Sequence, residues 1–174
     1  MAAVIDRLDS IEIGLCLRIN QLGRRTGVRA CLQLASKLGD GGFWFAMAIS
    51  VLAIRGSAAL ISIGEMMIAA TVGVVIYKLL KQKLIRERPY IAHGEIQLGA
   101  TPLDRYSFPS GHTLHAVSFT ILFGDLEPMS LFVALPFAIL VAISRVVLGL
   151  HYPSDVLVGA IIGSGIAVTT IAIG

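Results

Sequence analysis

Polar and apolar positions divide this chain into two regimes. Through residues 5–37, charged residues interrupt every apolar stretch: Arg7, Asp9, Glu12, Arg18, Arg24, Arg25, Arg29 and Lys37. No run there reaches the roughly 20 uncharged residues that a spanning helix needs. Leu8, Ile11, Leu15 and Ile19 recur at three- and four-residue spacing, which predicts an amphipathic helix that either lies in the membrane interface or packs as an arm on a bundle. Gly23 and Gly27 divide it into two pieces. Asp6 and Arg7 interrupt the first eight residues, so there is no signal-peptide pattern and insertion is expected to rest on later helices.

The second regime is apolar. Residues 38–54 hold one charge, Asp40, and carry Phe43, Trp44 and Phe45 as an expected interfacial anchor. Residues 56–77 hold only Glu65, residues 129–150 only Arg145, and residues 156–174 none. Residues 112–124 are short for a span unless the helix begins at 109–111. The expected fold class is therefore all-α: an integral-membrane helical bundle of about five spanning helices, with an N-terminal amphipathic arm (1–37) and a transmembrane domain (38–174). Gly159-x-x-x-Gly163 permits close helix packing, and residues 94–103 read as a loop.

Composition sharpens this picture. The 174 residues are 56% hydrophobic and 14% charged, against about 25% charged in soluble domains, and the mean hydropathy is +0.83. A net charge of +3 suits an anionic surface or substrate. Nucleic acid is excluded as a partner because there is no soluble basic domain to hold it. Cys16 and Cys31 make no disulfide framework.

Threading the spans back and forth brings the remaining polar residues to one membrane face: Lys81, Arg88, Ser110, Gly111, His112, Arg145, His151 and Asp155. Ionisable residues beside spans are costly and point to function. Lys81 and Arg88 are seven apart, which on a continuous helix returns to within about 20° of one face. Two such cations repel unless an anion lies between them. Lys83 and Arg86 fall off that face and are expected to meet headgroups or solvent. Ser110 is a candidate N-cap, and the N–H groups of Gly111 and His112 open a helix end that favours an anion. His112 is placed to give a proton to a phosphate or its leaving group. His115, one turn on, either supports it or makes a structural hydrogen bond. Arg145 offers a planar fork for phosphate oxygens. His151 and Asp155 lie four apart, so the carboxylate can hold one ring nitrogen protonated and leave the other as a nucleophilic lone pair.

These residues resemble the three-part signature of the type 2 phosphatidic acid phosphatase family, whose members share the vanadium haloperoxidase-type active site. Lys81-(six residues)-Arg88-Pro89, Pro109-Ser110-Gly111-His112 and Ser144-Arg145-(five residues)-His151-(three residues)-Asp155 stand in order with intact spacing. The resemblance, to small bacterial members, implies a lipid phosphatase. By it, His151 attacks phosphorus and forms a phosphohistidine, Asp155 orients it, and His112 protonates the leaving oxygen and later helps activate water. Lys81, Arg88, Ser110, Gly111 and Arg145 hold the phosphate oxygens. No cofactor or metal is expected: no acidic cluster suits a hard cation, with Asp155 engaged by His151 and Asp104 standing alone beside Arg105.

Three other readings compete: a lipid phosphotransferase with the same site, a vanadate-dependent haloperoxidase, and a non-enzymatic channel or lipid-binding protein. Relatives of the haloperoxidase kind are large and soluble, and a non-enzymatic protein predicts decayed catalytic positions. The expected partners are the bilayer and a lipid phosphate: phosphatidic acid, phosphatidylglycerol phosphate, a polyprenyl diphosphate or lipid A phosphate. The resemblance implies the bacterial inner (cell) membrane and inclines the site to the periplasm. The count of Lys and Arg, all but Arg55 on the site's side if the arm does not cross, favours the cytoplasm. The sequence leaves that side, the oligomeric state and the role of Glu65 open.

Overall fold

The computed structural model describes residues 2–174, with side chains from Ser10 onward. The expected charges at Asp6, Arg7 and Asp9 and the stripe position of Leu8 lie outside the described side chains. The described residues are helical and contain no strand. The helices are α1 (Ala2–Asn20), α2 (Thr26–Gly39), α3 (Gly42–Arg55), α4 (Leu60–Lys83), the single turn α5 (Pro89–Ala92), α6 (Gly111–Leu126), α7 (Leu131–Val147) and α8 (Pro153–Ile173).

Among the described residues, three stretches are long and apolar enough to cross a membrane: Gly42–Lys83, Pro128–Val147 and Pro153–Ile173. The first of them bends at Gly56, whose φ of +62° suits a residue without a Cβ, and so divides into α3 and α4. Their outer faces carry exposed Ile54, Ile61, Ile68, Phe132 and Ile161, the pattern of helices solvated by lipid rather than water.

Helix α6 has 16 residues and is the central element, packed on α8, α7 and α4. Its contact with α8 is close because α8 presents glycines. A Cβ on Gly159 would come within 2.6 Å of the Ser110 carbonyl oxygen, and one on Gly163 would collide with the Leu114 carbonyl. The small-residue motif thus sets two backbones against each other.

The aromatic triplet at residues 43–45 behaves differently from the expected anchor. Phe45 is exposed, but Trp44 is buried among Phe119, Phe123 and Phe137, while Phe43 stacks on Phe137 at 3.7 Å. A helix turns adjacent residues about 100° apart, so only one of the three can point outward cleanly.

The N-terminal helices break over Gln21–Arg24, at Gly23, whereas Gly27 lies inside α2, and they dock on the bundle. Asn20 fastens the junction: its amide donates to Gln97 O (2.9 Å) and Val147 O (3.0 Å) and accepts from Gln97 N–H (2.9 Å). Cys16, Leu32, Ala35 and Ser36 are buried against α7 and the loops around it, while Ile11, Leu15 and Leu34 stay exposed.

Candidate active site

Six of the eight sequence-predicted residues line one cavity of about 300 Å³: Lys81, Arg88, Gly111, His112, Arg145 and His151. Lys81 closes α4, Gly111 and His112 open α6, Arg145 sits in the last turn of α7, and His151 follows in the α7–α8 turn. The cavity continues along Trp44, Ala70, Val74, Tyr77 and Phe119, so a cationic end passes into an apolar wall.

Lys81 and Arg88 meet by a different route from the one their spacing implies. Helix α4 stops at Lys83, and Arg88 has extended backbone (φ −74°, ψ 150°). What joins them is Asp104, which is not isolated as expected. Lys81 Nζ donates to both its carboxylate oxygens (2.7 and 2.9 Å) and to Tyr106 O (2.8 Å). Arg88 donates to Asp104 Oδ1 (2.7 Å), Asp104 O (3.0 Å) and Leu150 O (2.8 Å). Burial alone would raise the Asp104 carboxyl, but the hydrogen bonds and charges of Lys81 and Arg88 hold it below the usual carboxylate range. The anion between the two cations is therefore supplied by the protein's own loop.

His151 is fully buried, with Nε2 at 3.4 Å from Arg88 Nη1 and Nδ1 at 3.5 Å from Asp155 Oδ2. A guanidinium can only donate, which favours a lone pair on Nε2 and the proton on Nδ1; the Asp155 carboxylate lies beside Nδ1 without a formed hydrogen bond, and Nδ1 has no other partner among the described residues. Burial, followed by the positive charges of Arg145, Arg88, Lys81 and His112, pushes the imidazole well below its ordinary pKa. A neutral, cavity-facing imidazole is suited to nucleophilic attack.

His112 Nε2 pairs with Asp40, the carboxylate at the α2–α3 turn. Arg145 is buried and donates to Ser36 Oγ on α2, while its Nε finds no partner among the described residues. His115 lines the cavity, edge-on to Tyr77 and stacked on Phe119.

Two predicted residues lie behind the cavity. Ser110 precedes α6 in the N-cap position, but its hydroxyl pairs with Thr113 Oγ1 (3.0 Å) rather than capping the helix, and its N–H donates to Asp155 O (3.0 Å). Asp155, wholly buried, accepts from Tyr152 N–H (2.9 Å) on Oδ2 and from Arg86 (2.6 Å) on Oδ1. Arg86, expected to meet headgroups or solvent, is thus an internal partner. The sequence reading gave no site role to Asp40, Ser36 or Glu12, and it misplaced Asp104 and Arg86. The only available signal for the first three was an acidic or polar residue beside a turn or an apolar run, and many inert positions give the same signal.

Residues 59–174 match the PAP2 superfamily. The chain belongs to that family. It is 33% identical over 96 residues to the decaprenylphosphoryl-5-phosphoribose phosphatase of Mycobacterium tuberculosis, covering 55% of this chain and 52% of the relative. It is 34% identical over 96 residues to the lipid A 1-phosphatase of Rhizobium etli, covering 53% of this chain and 41% of the relative. The matched stretch thus spans about half the length of these relatives or less. Among solved structures, Aquifex aeolicus LpxE superposes with a TM-score of 0.78 at 26% identity, over 91% of this chain and 93% of that one.

Proposed function

We propose that this PAP2 protein is a metal-independent lipid phosphatase that works through a phosphohistidine on His151. The observation that carries the reading is the polarity of its cavity: Lys81, Arg88, Arg145 and two imidazoles at one end, Trp44, Val74 and Phe119 along the wall. Such a space fits a phosphate whose remaining body is apolar. The relatives act, by their names, on a prenyl-linked phosphosugar and on lipid A, which supports a lipid phosphate monoester or diphosphate as the substrate class. Phosphatidic acid, phosphatidylglycerol phosphate, polyprenyl diphosphates and lipid A phosphate all belong to it.

In this mechanism the substrate phosphate displaces the Asp104 and Asp40 carboxylates from the cationic groups. The Nε2 lone pair of His151 forms the N–P bond as the P–O bond to the lipid breaks, and protonated His112 gives its proton to the leaving oxygen. Neutral His112 then takes a proton from water, which attacks phosphorus and breaks the N–P bond, releasing inorganic phosphate. Arg88 and Arg145 meet the charge on the equatorial oxygens, where positioning and electrostatics carry the catalysis. Ser110 acts from behind the cavity, through the opening turn of α6. Five helices (α3, α4, α6, α7, α8) cross an inner membrane, and α1 and α2 form the arm in its headgroup layer, with the site at the periplasmic face.

Phosphate release from a panel of purified lipid phosphates in detergent, with EDTA present, tests the reading. Release that depends on His151 is expected. A strict Mg²⁺ requirement, or transfer of the phosphate to a second lipid instead of water, would overturn it.

A further inference from the structure

The ion pairs behind Asp155 have no place in the mechanism above, and their geometry is tight. Arg86 lies in the segment between α4 and α5. Its Nη1 donates to Asp155 Oδ1 (2.6 Å) and Ser154 Oγ (2.7 Å), and its Nη2 donates to Glu12 Oε2 (2.6 Å). Glu12, on α1, accepts the Ser154 N–H on its other oxygen (2.7 Å). The guanidinium also lies 3.9 Å over the Tyr152 ring, and the Tyr152 N–H holds Asp155 Oδ2. None of Glu12, Arg86 and Asp155 lines the cavity, so all three stand behind His151 as seen from it.

We propose that Arg86 and Glu12 are positioning residues: a Glu12–Arg86–Asp155 chain of ion pairs fixes the carboxylate that orients His151, which makes the N-terminal arm part of the catalytic apparatus. The inference rests on His151 being the nucleophile. A carboxylate with no exposed surface requires a paired cation to remain charged, and Arg86 supplies it. Around Asp155 the other facing groups are His151 and Tyr152 from its own segment, Ser107 from the loop before α6 and Cys16 from α1. Lys81 also acts on the carboxylate through its charge, but its ammonium is hydrogen-bonded to Asp104, so Arg86 is the cation in direct contact with Asp155.

Arg86 has to serve Asp155, Ser154 and Glu12 at once, which takes a planar fork. Glu12 holds that fork from the arm while tying the arm to the first turn of α8. Unlike Lys81, Arg88 and Arg145, the chain acts on the rate through the imidazole, not on the affinity for the anion.

The test uses the full-length protein in detergent: phosphate release from phosphatidic acid, inhibition by orthovanadate, and ¹⁵N chemical shifts of the histidine ring nitrogens. Arg86→Ala is expected to lower kcat about 100-fold, and Glu12→Gln about 5-fold, with KM and the orthovanadate Ki within about twofold of wild type. The double variant should fall no further than Arg86→Ala, because Glu12 works through Arg86. In the ¹⁵N spectrum the His151 form protonated on Nδ1 should be lost in Arg86→Ala. Arg86→Lys keeps the charge without the fork and covers the case in which alanine does not fold; it should lose about tenfold in kcat.

Wild-type kcat in Arg86→Lys, a loss confined to KM or Ki, or an unchanged His151 tautomer would overturn the proposal. His151→Ala separates the two claims. Retained activity there removes the nucleophile itself, whereas an inactive His151→Ala beside a fully active Arg86→Lys removes only the chain.

Discussion

The Asp104 carboxylate accepts a 2.7 Å hydrogen bond from Arg88 Nη2, and the same oxygen takes a second 2.7 Å bond from Lys81. An acidic side chain from the loop before α6 thus occupies the place between the two cations where a phosphate is expected to bind. Substrate and Asp104 then compete for the same donors.

Removing the competitor should tighten anion binding. The Asp104 side chain is 37% exposed, so water screens part of the pairing and its cost to a ligand is about 1 kcal/mol, or roughly fivefold. Asp104→Asn is expected to lower the Ki of orthovanadate by about that factor. A Ki that rises would instead make Asp104 an aligning partner of Lys81 and Arg88.

The neutral state of His151 predicts a pH dependence of stability. Its folded pKa lies below the unfolded value, so the unfolded chain binds the extra proton first. The stabilisation is complete above about pH 6.5 and is lost as the pH falls below that toward the folded value. The melting temperature of the wild type should drop between about pH 6.5 and 5 more steeply than that of His151→Gln. Equal slopes would mean that His151 is protonated in the folded protein.

The α6–α8 contact predicts a glycine effect. A methyl on Gly163 would meet the Leu114 carbonyl, a backbone atom that cannot swing aside, whereas one on Gly165 meets nothing within 4 Å. Gly163→Ala should cost about 1–3 kcal/mol and lower the melting temperature, with Gly165→Ala as the matched control. Equal melting temperatures would show that the two helices are not packed this closely.

How far the sequence could be read follows from which interactions leave a spacing. The apolar runs announced the spanning helices because lipid exposure demands long uncharged stretches, and Gly159 and Gly163 announced close packing. Lys81, Arg88, His112, Arg145 and His151 were legible as one site because charges beside spans are rare. Arg86 was misjudged by extending a helical period past Lys83, where the backbone has already left the helix. Trp44 was misjudged because an aromatic near a span end can anchor in headgroups or fill a core, and only the positions of Phe119, Phe123 and Phe137 decide between them. Glu12 and Asp155 are 143 residues apart and Asp40 and His112 are 72 apart; pairs so distant follow from tertiary packing alone.

The account turns on His151 carrying the phosphoryl group. Mixing the purified protein with a ³²P-labelled lipid phosphate, quenching in base, where phosphohistidine survives, and mapping the labelled peptide measures this directly. The account predicts label on His151 that appears before inorganic phosphate accumulates and is absent from His151→Ala, which does not turn over. Label on another residue, or turnover at the wild-type rate by His151→Ala, would contradict it.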